Sequence, residues 1–189
     1  MKNNSLHTAA MAARGAAACT CALVLSGCGG VGSVRHAEGP EVAAVAPDPW
    51  LANLVGRWDV ERTIRKTTER NALEVRWVLG RRFVEMHMID VARPPKYEAI
   101  VLVGRDASKE RYVAYWTDVF GAQYSGVGYG KRVGDSVDFV FDSPDGSRFH
   151  NTFTWSAHDG AWRSLMESES SAGARAFFAE DRYRRATQP

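Results

Sequence analysis

The chain has 189 residues, 24 basic and 22 acidic side chains and a formal charge of +2. It lacks the basic run or stripe that nucleic acid demands, so that partner class is set aside. The length suits one domain burying roughly two thirds of its chain surface. The cysteines are Cys19, Cys21 and Cys28, so nothing after Cys28 can be held by a disulfide and the fold must rest on its core.

In chain order, Lys2 and Arg14 precede a small apolar run from Ala16 to Leu25, the layout of a secretory signal. The run is shorter than the roughly 20 residues a membrane-spanning helix needs. It closes on Leu25-Ser26-Gly27-Cys28, which resembles the lipobox of bacterial lipoprotein signals. That resemblance implies cleavage after residue 27 and lipidation of Cys28, with the membrane as a partner through the acyl chains. Gly29 resembles the outer-membrane-sorted type, which implies the cell envelope, on the periplasmic face of the outer membrane. Loss of Lys2 and Arg14 leaves 22 basic and 22 acidic side chains, a formal charge of zero. Residues 28–49 are rich in Gly, Ala, Val and Pro without period 2 or 3.6, and read as a flexible tether.

All the Trp and Tyr residues lie between Trp50 and Tyr183, so the folded domain is placed at residues 50–186. Pro49 to Val55 reads as a short helix with Trp50, Leu51, Leu54 and Val55 on one face, ended by Gly56. Trp58, Val60 and Ile64 then share one parity while Asp59, Glu61, Thr63 and Arg65 share the other, a half-buried strand. Further strands are expected over 73–79, 82–89, 97–103, 111–117, 123–131, 137–141, 148–155, 162–169 and 175–184. Turn signals separate them, among them Glu69-Arg70-Asn71, Gly134-Asp135 and Asp145-Gly146. About ten strands with tight turns and no crossover helix imply an all-β antiparallel meander, and closure into an up-and-down barrel removes its exposed edges. The short helix would plug one end.

Gly56-Arg57-Trp58 after such a helix resembles the lipocalin and fatty-acid-binding-protein superfamily, the calycins, in which a Gly-x-Trp closes the barrel floor beneath an Arg of the last strand. The resemblance implies floor closure by Gly56 and Trp58, with either Arg182 or Arg184 stacked on the indole. Leu54 to Trp58, Trp77 to Phe83, Tyr115 to Asp118 before Gly121, and Glu180-x-x-Tyr183-x-Arg185 together resemble a bacterial family of lipocalin-like domains of unknown function. The usual glycine-rich tyrosine-aspartate turn after the fourth strand reads Gly104-Arg105-Asp106 instead. This likeness implies a fold and a cavity, and no activity.

A barrel of this size can hold one small, mostly apolar or amphipathic ligand. Trp77, Met86, Met88, Trp116, Tyr124, Phe153, Trp155 and Met166 are the candidate lining, with ordinary core the favoured reading of each taken singly. Met86 and Met88 fall with Val84, and Phe153 and Trp155 with Phe149, on the expected interior, while parity does not decide between Tyr112/Trp116 and Val113/Tyr115. Gly126, Gly128 and Gly130 bare one face of a strand. That face either opens space or, the favoured reading, admits a close neighbour. A filled barrel would instead suit an envelope interaction module.

Nitrobindins, calycin relatives that hold haem through a late His, direct attention to His150 and His158. His150 shares its face with Thr152 and Thr154 and is expected to meet solvent, and His158 reads as a turn residue, so no inward haem ligand is evident. Glu85 and His87 share a strand face, a spacing that also arises by default. No nucleophile triad or metal-ligand spacing accompanies them, so no cofactor, metal or enzymatic role is expected.

Overall fold

The computed structural model describes residues 43–187. Residues 1–27, Cys28 and the tether up to residue 42 lie outside the described residues. Ordered contacts start ahead of the expected domain boundary. The Val45 N–H donates to the Gly80 carbonyl at 3.0 Å, and Asp48 caps helix α1 (Pro49–Leu54) by accepting from the N–H groups of Trp50 and Leu51. A cap and one backbone bond need no hydrophobic period, which is why the sequence pattern placed these residues in the tether.

Eleven strands follow: β1 (Gly56–Ile64), β2 (Thr67–Val78), β3 (Phe83–Asp90), β4 (Glu98–Asp106), β5 (Arg111–Asp118), β6 (Gly126–Gly130), β7 (Arg132–Val133), β8 (Ser136–Asp142), β9 (Arg148–Ser156), β10 (Ala161–Glu169) and β11 (Arg175–Arg185). Each of β1 to β5 pairs with the next strand, β5 pairs with β6, β8 to β11 continue the meander, and β11 pairs back on β1, all antiparallel. Gly128 with Phe141 and Tyr129 with Val140 join β6 to β8 and complete a closed ten-stranded barrel. The two-residue β7 is a hairpin extension on β8. Closure leaves no long sheet edge for another chain to pair with.

The expected strands differ from these in two places. β2 begins at Thr67, and the turn is Arg65-Lys66, with Arg65 at φ 56°, where Glu69-Arg70-Asn71 was expected. Thr67 to Arg70 are exposed on both faces, because the β1–β2 ladder runs past the barrel rim where no core imposes an alternation. The strand expected over 123–131 is broken: Ala122–Tyr124 is a single 3-10 turn, and pairing resumes only at Gly126.

The helix plugs one end. Its Trp50, Leu51 and Leu54 are each 1% exposed and join Trp58, Tyr112, Phe139, Phe153 and Trp162 in the core. Barrel side chains meet three carbonyls at its C-terminal end: the Trp58 indole N–H donates to Leu54 (2.7 Å), that of Trp162 to Asn53 (3.1 Å), and Arg185 to Val55 (2.6 Å) and Asn53 (3.2 Å). Arg185 also lies over the Trp58 ring, 3.9 Å from its centroid. Arg185 therefore takes the place expected of Arg182 or Arg184. The reason is pleat: Ala179, Asp181 and Tyr183 face inward, Arg185 shares their parity and pairs directly with Trp58, and Arg182 and Arg184 face out. Gly56 sits at φ 132°, and a Cβ there would run into the Arg185 guanidinium, so the floor requires glycine.

The Tyr112 hydroxyl donates to the Asp48 carboxylate at 3.1 Å, and burial together with that carboxylate pushes its pKa up to about 12. Because the fold favours the neutral phenol, this contribution is complete below about pH 10 and is lost as pH rises towards 12. Tyr112→Phe is expected to flatten that alkaline loss by at most about 2 kcal/mol between those limits, measured as urea unfolding free energies on both sides of the window.

Candidate functional site

The two halves of the lumen differ. Around the plug it is filled: Trp155 lies 5.2 Å from Trp162 and 6.5 Å from Trp58, ring to ring, and Phe153 packs on Phe139, Trp162 and Tyr183. Trp77 packs against the same cluster. At the opposite end the aromatic rings are only half-buried. Trp116, Phe141, Phe149 and Phe178 form a continuous chain of tilted and edge-on rings, with centroids 6.5, 6.4 and 5.3 Å apart. Phe178 enters this wall because a bulge opposite Met166 and Glu167 inserts it into β11 as an extra residue. Tyr97, Phe120 and Tyr124 stack along another part of the rim.

Below the rings lies a polar layer. Arg62 and Asp181 form a bidentate pair inside the barrel, with Nε to Oδ1 and Nη2 to Oδ2 both 2.7 Å. The pleat dictates this meeting: the two residues face each other in the β1–β11 ladder, both on the inward parity. Arg62 also donates to the Met88 sulfur at 3.5 Å and lies 5.0 Å from the Tyr97 ring centroid. Burial works against its charge, and the Asp181 carboxylate more than offsets this, holding the guanidinium above its ordinary pKa. Tyr183 donates to Asp181 at 3.3 Å and sits 3.2 Å from the Ser164 hydroxyl, and burial holds its phenol well above the ordinary range. Two further inward side chains, Asn71 on β2 and Asn151 on β9, are 3% and 1% exposed. The Asn71 Nδ2 donor and the Asn151 Oδ1 acceptor have no hydrogen-bond partner among the described residues.

The candidate lining residues divide between these regions. Trp77, Phe153 and Trp155 belong to the packed floor. Met86, Met88 and Met166 are buried inward at 4%, 5% and 3% exposure, and Trp116 faces the open half. Tyr112, Ala114 and Trp116, not Val113 and Tyr115, are the inward set on β5. Tyr124 is 64% exposed on the 3-10 turn, because the strand expected to turn it inward starts two residues later. The bare glycine face is closed: the Phe141 ring lies where a Cβ of Gly128 would stand, so those glycines admit a neighbour.

Arg62, Asn71, Asn151 and Asp181 were not singled out in the sequence, although they carry a signal. Each interrupts an apolar run of one parity: Arg62 between Val60 and Ile64, Asn71 before Leu73, Asn151 between Phe149 and Phe153, and Asp181 between Ala179 and Tyr183. Phe178 had none, since a bulge breaks the parity that would locate it.

The outer-face residues are paired elsewhere. His150 faces outward as its parity implies, yet it is only 3% exposed, because Asp138 (2.9 Å), Glu169 (3.1 Å) and Arg175 (3.2 Å) cover it. His158 is exposed in its turn beside Asp159. Glu85 pairs with Arg76 and His87 with Glu98, each at 2.7 Å, and not with one another. Among the described residues no three His, Cys, Asp or Glu side chains converge as a metal site.

Fold and site together define a closed antiparallel barrel, plugged at one end and carrying half-buried aromatic rings at the other, with a buried polar pair between strands β1 and β11. Residues 45–128 match the family model described as protein of unknown function (DUF1579), a stretch running from α1 to the middle of β6. No curated protein matches the chain.

Proposed function

We propose that this is a lipid-anchored envelope protein whose barrel takes up a small amphipathic molecule through its open end. The observation that carries the binding reading is the pair of buried asparagine side chains, Asn71 and Asn151, with unpartnered polar atoms inside a barrel whose unplugged end carries half-exposed aromatic rings. Leaving a buried polar group unmet costs about 1–3 kcal/mol, a cost that a bound molecule removes. Aromatic rings supply large contact area for its apolar part, and they lose little rotamer freedom on binding. The anchor reading rests on Leu25-Ser26-Gly27-Cys28.

Native mass spectrometry on the protein expressed from its full-length gene in a bacterial host is expected to show a stoichiometric organic adduct, and Cys28→Ser is expected to release the protein from membranes. A bare mass, together with no fluorescence gain from an apolar dye, would defeat the binding reading in favour of an envelope interaction module. Retention of the Cys28→Ser protein on membranes would defeat the anchor.

A further inference from the structure

We infer that two copies of this chain pair through the apolar outer face of strands β4, β5, β6 and β8. This surface lies outside the barrel, so the inference stands apart from the lumen reading.

The outer face of a barrel in water ordinarily carries polar residues, and along β1 and β11 this one does. There the outward positions are Arg57, Asp59 and Glu61, and Glu180, Arg182 and Arg184. The far side of the barrel departs from that pattern. Ile100 and Leu102 on β4, Tyr115 on β5, Val127 and Tyr129 on β6 and Val140 on β8 all take the outward parity, since Val101, Ala114, Gly128 and Phe139 on the same strands face in. Register makes them one surface: Leu102 stands opposite Tyr115, Tyr115 opposite Val127, and Tyr129 opposite Val140. The Phe83 ring extends it onto β3, 6.3 Å from that of Tyr115.

The size of this surface is that of a dimer interface. Ile100, Tyr115, Val127 and Tyr129 are 43%, 44%, 40% and 41% exposed. With the half-buried Phe83, Leu102 and Val140 they leave on the order of 400–500 Å² of apolar area open. A stable dimer buries about 800 Å² per partner, a little over half of it non-polar, which is about 450 Å². The patch therefore supplies the apolar share of one such interface.

Its chemistry suits a copy of itself. A two-fold interface sets the same patch against itself, and a patch without charge opposes no like charges. Among the charges at its border, Glu85 is met by Arg76, Arg111 by Asp106 and Asp142 by Arg148, all within the chain. Two tyrosines sit in it, a residue type enriched at interfaces. Both are held before any partner arrives: Phe83 packs on Tyr115, and the Arg111 guanidinium lies 3.8 Å from the Tyr129 ring centroid. Rings already ordered lose little freedom on association.

The test uses the protein expressed from its full-length gene. Purified in a mild detergent and studied by density-matched sedimentation equilibrium, it is expected to show twice the protomer mass, with a dissociation constant of about micromolar or tighter. Tyr115→Glu and Val127→Lys, at exposed positions, should each weaken the dimer at least about thirtyfold while the far-UV circular dichroism of the barrel is retained. Arg184→Glu, on the charged side, should leave it unchanged. In whole cells, the photo-crosslinker benzoylphenylalanine in place of Tyr115 is expected to give a band at twice the protomer mass on irradiation, and the same group in place of Arg184 is not. A monomer in solution together with no such band overturns the inference, as does a dimer that survives both substitutions. A crosslink from position 115 to a different protein, with no dimer band, overturns it as well and gives this face another partner.

Discussion

Asp181→Ala is expected to lower the unfolding free energy by about 3–5 kcal/mol, among the largest effects of any single substitution in this barrel. The Asp181 side chain is almost wholly buried and both its oxygens bind Arg62 at 2.7 Å. Its removal leaves a guanidinium with 7% exposure and no counter-charge, and the Tyr183 hydroxyl loses an acceptor. The cost is that of stranding a charge and says little about the net value of the pair. Replacing both partners by apolar residues of similar size, Arg62→Met with Asp181→Leu, is therefore expected to recover most of the loss. Urea unfolding of the single and double variants checks this: a double variant as unstable as Asp181→Ala would mean that the pair does more than cancel its own burial. Recovery would show that the pair adds no net stability beyond cancelling its own burial.

Trp58→Ala should cost a similar 3–5 kcal/mol for a different reason. The indole is 1% exposed and meets Trp155 edge-on. It also satisfies the Leu54 carbonyl at 2.7 Å and supports the Arg185 guanidinium. Truncation opens a cavity at the floor, orphans a helix-end carbonyl and removes the surface that orients Arg185 towards Val55 and Asn53. Trp58→Phe keeps the ring face and loses the N–H, so it should cost less than half as much, on the order of 1–2 kcal/mol. Chemical unfolding followed by far-UV circular dichroism separates the two, and equal losses would place the whole effect in the Leu54 hydrogen bond.

Much of the architecture was legible because period-2 alternation and turn residues act locally. Trp58 and Val60, Val84 to Met88, and Phe149 to Trp155 each announce an inward face, and Pro49 to Gly56 announces the helix and its stop. Where the core stops dictating the pattern, reading failed: Thr67 to Arg70 pair beyond the rim with both faces wet, and Gly121 to Ser125 turn where a strand was expected. His150 shows a related failure. Its outward parity was correct, but the Asp138, Glu169 and Arg175 side chains that bury it come from three other strands.

By itself, then, the sequence determined the all-β class, the antiparallel order, the plug helix and the position of Gly56 and Trp58, because each depends on residues a few positions apart. The tertiary structure alone decided the meetings. Arg185 rather than Arg182 or Arg184 reaches Trp58 because the β1–β11 register puts it there. Phe178 joins the ring wall beside Phe149 because of a bulge opposite β10. Arg62 finds Asp181, 119 residues away, because barrel closure brings the first and last strands side by side. Register across distant strands is fixed by the packing of the whole barrel, and no local pattern encodes it.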